Sequence, residues 1–229
     1  MNLILFDQNR KNLLPFTYTR PIAEFRCGIL TLSEKWSKRV SEASVSYLTE
    51  RYLSEKYPTK YAALNYYING SILANNELTE AIKALQEGEL LFDPMTEKVL
   101  AFCSAMQLNS IEESPKGFNK VPFSLPYLCI DNIWDIFAKN GKAIEKDFEL
   151  LTAGRTSQPL DETCTHIGNQ LFIEKGAKVQ AAILNSTSGP IYIGKNAEVM
   201  EGSVVRGGLA LCEGAALKLA TKVYGPTTV

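Results

Sequence analysis

The stretch GPIYIGKNAEVMEGSVVRGG, residues 189–208, decides how the C-terminal part of this chain folds. In it Ile193, Val199 and Val205 are six positions apart. The same spacing runs upstream through Ile167, Ile173 and Val179, and downstream through Leu211, Leu217, Val223 and Val229. It is broken once, by a two-residue slip in LNSTSGPIYIG (residues 184–194), where Gly189-Pro190 marks a turn and predicts a small loop at one corner. Four places after many anchors the residue is small: Ala177, Ala197, Ser203, Ala215, Thr221 and Thr227. One inward branched residue per six positions predicts a short strand followed by a tight turn. Three such units close a triangular coil, and each coil buries its anchors against the next. An antiparallel β-domain would alternate apolar and polar residues instead, which ten anchors on one grid disfavour. The grid predicts a parallel β-helix over residues 163–229, starting between Thr163 and Gly168, with Ile167, Ile173, Val199, Val205 and Leu211 inside. Because Val229 falls on an anchor position, the pattern also predicts further coils beyond it. The exposed end is then expected to be covered by a neighbouring molecule, or to fray.

The first 155 residues have a different grammar. NLILF (2–6), SVSYLT (44–49) and AALNYYING (62–70) are short apolar strand candidates. ILTLSEKWSKRV (29–40) predicts an amphipathic helix with Leu32, Trp36 and Val40 on one face. NELTEAIKALQEGE (76–89) predicts a second, capped by Asn76, with Leu78, Ile82 and Leu85 sharing a face and Gly88 past its end. ELLFDPMTEKVLAFCS (89–104) reads as two strands around a turn, and residues 108–126 as a loop with three prolines. IDNIWDIFAKNGKAIEKDFELL (130–151) is a long helix capped by Asp131 or Asn132, with Ile133, Trp134, Phe137, Ile144 and Phe148 available to bridge the halves. Strands alternating with helices predict an α/β domain over residues 1–155, Rossmann-like, with a mostly parallel sheet and helices on both faces.

Composition narrows the function classes. A formal charge of −1 over 229 residues gives no reason to expect nucleic acid or an anionic membrane as partner. No apolar run approaches the length of a membrane span or carries the basic flank of a signal peptide. Five widely spaced cysteines without a C-x-x-C pair predict reduced thiols in a cytoplasmic protein, and a single histidine, His166, argues against a zinc site.

The phrases NLLPFTYTRPIAEFRCGIL (12–30), SYLTERYLSEKY (46–57), INGSIL (68–73), WDIFAKNG (134–141) and GPIYIGKNAEVMEGS (189–203) resemble a divergent sugar-1-phosphate nucleotidyltransferase-like family of Bacteroidetes. Its members are often labelled glucose-1-phosphate thymidylyltransferases. The C-terminal grid resembles left-handed β-helices of hexapeptide repeats. The pairing resembles the bifunctional N-acetylglucosamine-1-phosphate uridylyltransferase/glucosamine-1-phosphate acetyltransferases in architecture. The resemblance implies transfer of a nucleotidyl group from a nucleoside triphosphate to a sugar 1-phosphate, Mg²⁺ as cofactor, and a homo-oligomer, trimeric in the parent protein. Relatives carry a Gly-rich G-x-G-T-R loop, a phosphate-binding lysine and a metal-binding aspartate. With Pro15 on the motif's proline, the loop arginine falls on Asn12, the lysine on Ile22 and the aspartate on Ser71.

Other cations gather in the same loop. Ligands of open α/β sheets bind at the carboxyl ends of the strands, so the loop from Asp7 to Arg26 is expected to form the pocket mouth. Arg20 and Arg26 are the candidate catalytic cations, able to grip phosphate oxygens in pairs. Arg10 and Lys11, with Asn69 and Gly70 of INGSIL, are candidate phosphate and substrate ligands, and Asp7 is the candidate metal carboxylate. The alternative is that Arg20 and Arg26 pair with Glu24 or other carboxylates, and that Arg10 and Lys11 are solvated. The tyrosines of KYAALNYY (60–67) suit packing more than stacking on a base, and His166 suits a surface or capping role more than that of a base. Two other functions stay open: a non-catalytic sugar-nucleotide-binding or regulatory protein, and an acyltransferase housed in the β-helix.

Overall fold

A computed structural model describes residues 1–110 and 117–229. Part of the Pro-containing loop expected over 108–126 therefore lies outside the described residues. The chain divides into two compact units, Met1–Phe25 with Thr31–Asp135, and Arg26–Leu30 with Ile136–Val229. The boundary expected near residue 155 differs from this division: most of the long helix belongs with the second unit, and so does a five-residue piece near the N-terminus.

The first unit is built on strands β1 (Asn2–Phe6), β2 (Ser44–Leu48), β3 (Asn65–Asn69), β4 (Ile72–Leu73), β5 (Glu89–Phe92), β6 (Val99–Ser104), β7 (Asn119–Pro122) and β8 (Leu128–Cys129). Among the described residues, six of them form one sheet in the order β2-β1-β3-β6-β5-β7. β2, β1 and β3 are parallel neighbours, and so are β5 and β7; β6 runs against both of its neighbours. The sheet is thus mixed, with β6 alone reversed. β7 occupies part of the segment expected as loop, its backbone pairing with β5 from Asn119 to Pro122. Strand β4 pairs with β8 outside the sheet.

Every residue of β1 is buried, because neighbours cover both sheet faces. Leu3 and Leu5 point into a core with Trp36, Ile68, Leu78 and Ile82. Ile4 and Phe6 alternate onto the other face, with Leu48, Tyr67 and Phe102. Helices α1 (Leu32–Arg39) and α2 (Asn76–Ala84) contribute only to the first of these cores. Among the described residues of this unit the second face is covered by strand and loop residues such as Leu108 and Phe118, and not by the helix expected there. Tyr67 is spent on packing, stacked on Phe102 at 4.6 Å, with its hydroxyl donating to the Met106 carbonyl.

Helix α1 starts at Leu32, later than expected, because Thr31 caps it: its hydroxyl accepts from Glu34 N while the Glu34 carboxylate accepts from Thr31 N. Helix α2 is capped by Asn75, whose side chain accepts from Leu78 N at 2.8 Å. Asn76, the expected cap, instead accepts a hydrogen bond from Arg39.

The second unit contains most of α3 (Ile133–Thr152) and a three-sided parallel β-helix of the left-handed kind. One side stacks Leu171–Ile173, Ile191–Ile193, Leu209–Leu211 and Thr227–Thr228; the next stacks Lys178–Val179, Glu198–Val199 and Ala216–Leu217. The third stacks Thr165–Ile167, Ile183–Asn185, Val204–Arg206 and Lys222–Tyr224. Ile173, Val179, Ile193, Val199, Val205, Leu211, Leu217 and Val223 form its dry interior, as the six-residue grid requires. Two anchors are exceptions: Val229, which is 46% exposed, and Ile167. Ile167 is 45% exposed, and the inward column on its side reads His166, Leu184, Val205, Val223. His166 takes the inner place and bonds Ser186 Oγ at 3.0 Å, so its role is in the wall of the coil. The side carrying Phe172, Tyr192 and Ala210 is not left bare. Ile144, Phe148 and Leu151 of α3 pack against these residues together with Ile29. Ile133, Trp134 and Phe137 are exposed instead.

Candidate functional site

The parallel strands β1, β2 and β3 end level with one another, Phe6 beside Leu48 and Asn69. The tip of the β5–β6 hairpin lies on the same edge, because β6 is reversed and begins where β3 ends. This carboxyl edge gathers most of the sequence candidates.

Asp7 follows directly on β1 and is 3% exposed. Its Oδ1 accepts from the backbone N–H of Ile22 at 2.8 Å, and its Oδ2 from Thr49 Oγ1 at 2.5 Å and Arg10 Nη1 at 3.0 Å. Burial pushes its pKa above the usual carboxylate value, while Thr49, Ile22 and Arg10 pull it back. Arg10 spends the rest of its guanidinium on the Thr17 carbonyl and the Tyr52 hydroxyl, stacks over the Tyr52 ring at 5.7 Å, and lies 3.6 Å from Glu50. Asp7 and Arg10, expected as metal and phosphate ligands, therefore hold the loop together. Thr17 of the PFTYTRP phrase is fully buried and ties back to the Arg10 carbonyl at 3.1 Å. Within this loop Asn9 takes the left-handed backbone at φ 58°, which asparagine tolerates better than most side chains.

Lys11 and Arg20 are exposed on this loop, and neither side chain bonds another among the described residues. Arg26 falls in the other compact unit, where its guanidinium donates to the Ile29 carbonyl, so it is not brought together with Arg20 in one unit. Asn69 is buried, donating to Gln8 Oε1 at 2.8 Å and to the Val99 carbonyl at 3.1 Å, while its Oδ1 accepts from both the backbone and the hydroxyl of Ser71. Gly70 donates to the Phe6 carbonyl at 2.8 Å, and an added Cβ there would lie 3.1 Å from that oxygen. Both knit β1 to β3.

A magnesium ion needs several free oxygen ligands in near-octahedral array. Here the Asp7 oxygens are filled and faced by a guanidinium, Ser71 stands where the aspartate would be, and the Asn69 oxygen is occupied by Ser71. Among the described residues no three His, Cys, Asp or Glu side chains cluster. The donor set does not fit the ion.

Farther along the edge lies a group that the sequence reading missed. Lys98, at the hairpin tip just before β6, reaches Asp131 Oδ1 at 2.5 Å and Cys129 Sγ at 3.3 Å, and the thiol donates to Asp131 Oδ2 at 2.9 Å. Thirty-one or more residues separate Lys98 from these partners, and no local motif announces the pairing. Asp131 or Asn132 was expected to cap the long helix; Asp135 accepts from the backbone of both, at 2.9 Å each, and the Asp131 carboxylate is turned to Lys98 and Cys129. Burial lowers the Lys98 pKa, but the Asp131 hydrogen bond and the neighbouring charges outweigh it, and the net shift is upward. The Cys129 thiol is pushed up to about 11, first by burial and then by its bond to Asp131. At pH 8 only about one molecule in a thousand then carries the Cys129 thiolate, so iodoacetamide is expected to label it about two orders of magnitude more slowly than an ordinary thiol. Peptide mass spectrometry over a labelling time course checks this, and labelling of Cys129 at the free-cysteine rate would contradict it.

No helix among the described residues is long and apolar enough to cross a membrane. No curated protein matches the chain. A family model described as a sugar nucleotidyl transferase matches residues 3–156, a span that takes in every strand of the first unit and its carboxyl edge. By that match, over more than half its length, the chain belongs to the sugar nucleotidyl transferase family.

Proposed function

We propose that the chain joins a nucleoside triphosphate to a sugar 1-phosphate at the carboxyl edge of its first unit. A phosphate oxygen of the sugar phosphate attacks the α-phosphorus. The bond from that phosphorus to the β-phosphate's bridging oxygen breaks, and pyrophosphate leaves with the electron pair. Attacker and target are both anionic, so the edge must supply cations. Lys11 and Arg20 are exposed on the first loop, with no side-chain partner to give up among the described residues. The observation that carries the reading is the family match across the whole sheet.

A specific observation favours a second reading, binding without turnover. The three positions where the family resemblance calls for charge hold Asn12, Ile22 and Ser71, and the last two are buried. One experiment separates the readings. Thermal shift with UTP, dTTP, glucose 1-phosphate and the matching nucleotide-sugars reports binding, and pyrophosphate release reports turnover. Transfer predicts release that requires both substrates. Stabilisation by nucleotide-sugar without release selects the second reading, and no shift with any ligand defeats both. Under either reading Arg20→Ala is expected to weaken nucleotide binding about tenfold, the worth of one charged hydrogen bond, without changing the melting temperature of the unliganded protein.

A further inference from the structure

We infer that Lys98 is the cation of a phosphate-monoester subsite, the place where the sugar 1-phosphate docks, held ready by Asp131 until the ligand arrives. The inference rests on the proposed transfer reaction and deepens it. Its starting point is a division of labour along the carboxyl edge. At one end the cations Lys11 and Arg20 stand on the first loop. At the other the ammonium of Lys98 stands on the β5–β6 hairpin. Between them Asn69 is bonded to Gln8, next to Asp7, and to the carbonyl of Val99, next to Lys98, so the two ends belong to one continuous hydrogen-bonded edge. Two anionic substrates that must meet need two separate cationic holds, and this edge has one at each end.

The geometry of Lys98 suits a hold better than a structural tie. An ammonium has three protons. One goes to Asp131 and one to Cys129, while the third has no acceptor among the described residues. The Lys98 side chain is 13% exposed and that of Asp131 33%, so the pair opens to solvent at the edge. The second proton is spent on a sulfur, a weak acceptor that a phosphate oxygen would readily replace. Hairpin closure does not need the ammonium, because Asp93 N already bonds the Lys98 carbonyl at 2.9 Å, and Asp93 also accepts from Met95 N, Thr96 and Tyr127. Asp131 keeps this largely buried lysine charged before a ligand binds. When a dianionic phosphate arrives, it offers the same ammonium stronger acceptors.

The test compares Lys98→Gln, Lys98→Arg and Asp131→Asn with the native chain. Calorimetric titration measures affinity for inorganic phosphate, glucose 1-phosphate and UTP. Lys98→Gln is expected to weaken glucose 1-phosphate and inorganic phosphate by about 10- to 100-fold, the range for a lost charge-assisted hydrogen bond, and to leave UTP within about twofold. Lys98→Arg, which keeps the charge, is expected to restore most of the loss. Asp131→Asn removes the competing carboxylate and should hold or raise the affinity for both phosphates. A purely structural ion pair predicts otherwise: lower melting temperatures for Lys98→Gln and Asp131→Asn alike, and unchanged phosphate affinity in whatever protein stays folded. Equal affinity of native and Lys98→Gln protein for glucose 1-phosphate would overturn the assignment while leaving the transfer reading intact. An Asp131→Asn loss as large as that of Lys98→Gln would also overturn it. Failure of the native chain to bind any of the three ligands would overturn both.

Discussion

Asp7→Ala is expected to lower the stability of the protein by about 3 kcal/mol, the low end of the range for breaking a buried ion pair by removing one partner. The carboxylate is the single acceptor shared by Ile22 N, Thr49 Oγ1 and Arg10 Nη1. Its loss leaves a guanidinium that is only 9% exposed without its nearest counter-charge. Glu50, at 3.6 Å but half exposed, offsets part of the penalty. Pairing Asp7→Ala with Arg10→Met should recover some of the loss, because the orphaned charge goes with the arginine. Urea denaturation of the two variants and the native chain measures both effects. A loss below about 1 kcal/mol for Asp7→Ala would show that the cluster does not hold the loop. The variant should also lose nucleotide binding beyond its loss of stability, since Lys11 and Arg20 are presented by the loop that Asp7 ties down at Ile22.

Gly28→Ala is expected to cost about 3–5 kcal/mol, combining the penalty of a left-handed backbone with overpacking against main chain. Gly28 has φ +90°, and a Cβ built there would lie 2.5 Å from Asp147 Oδ2 and 2.8 Å from the backbone carbon of Ala143. Its own N–H donates to Asn140 at 2.7 Å, and the next two amides, of Ile29 and Leu30, both donate to Asp147. An alanine can be accommodated only by lifting the whole segment, which breaks these bonds together and withdraws Ile29 from beneath Phe172 and Tyr192. Thermal unfolding of the variant is the measurement, and a melting point within about two degrees of native would contradict the account.

The β-helix was legible because its rule is one-dimensional: each side of each coil needs one inward apolar residue, and that need is written every six positions. It misled at Ile167, where the first coil starts out of step and His166 takes the inner place, satisfied by Ser186. A histidine in an inward column carries no apolar signature, so periodicity passed over it. In the first unit, strands and helices were legible from apolar runs and caps, and the 89–104 hairpin from its turn, but which of its strands runs against the rest of the sheet, and the pairing of β7, were not. Strand direction depends on long-range partners that local pattern does not encode. The candidate site was half legible. Clustered charge near the first strand pointed to the carboxyl edge, yet sequence proximity cannot tell a cation that faces solvent, such as Arg20, from one enclosed by its neighbours, such as Arg10. Lys98 escaped notice for a related reason. Its partners come from a different stretch of chain, and only folding makes them neighbours.

The segment Arg26–Leu30 belongs with residues that are synthesised much later, and this sets the order in which the protein can fold. Its hydrogen bonds close long loops: 112 residues from Gly28 to Asn140, 118 from Ile29 to Asp147 and 200 from Gly28 to Thr228. The entropy of closing such loops must be met before their contacts reward it, which slows folding. The chain leaves the first unit after Phe25 and returns at Thr31, so the connection between the first loop and helix α1 stays unfastened until the coils of the second unit exist. On the ribosome the first unit therefore emerges with this segment still short of its partners in the second. Residues 26–30 acquire their full set of partners only once the coil carrying Thr228 has formed.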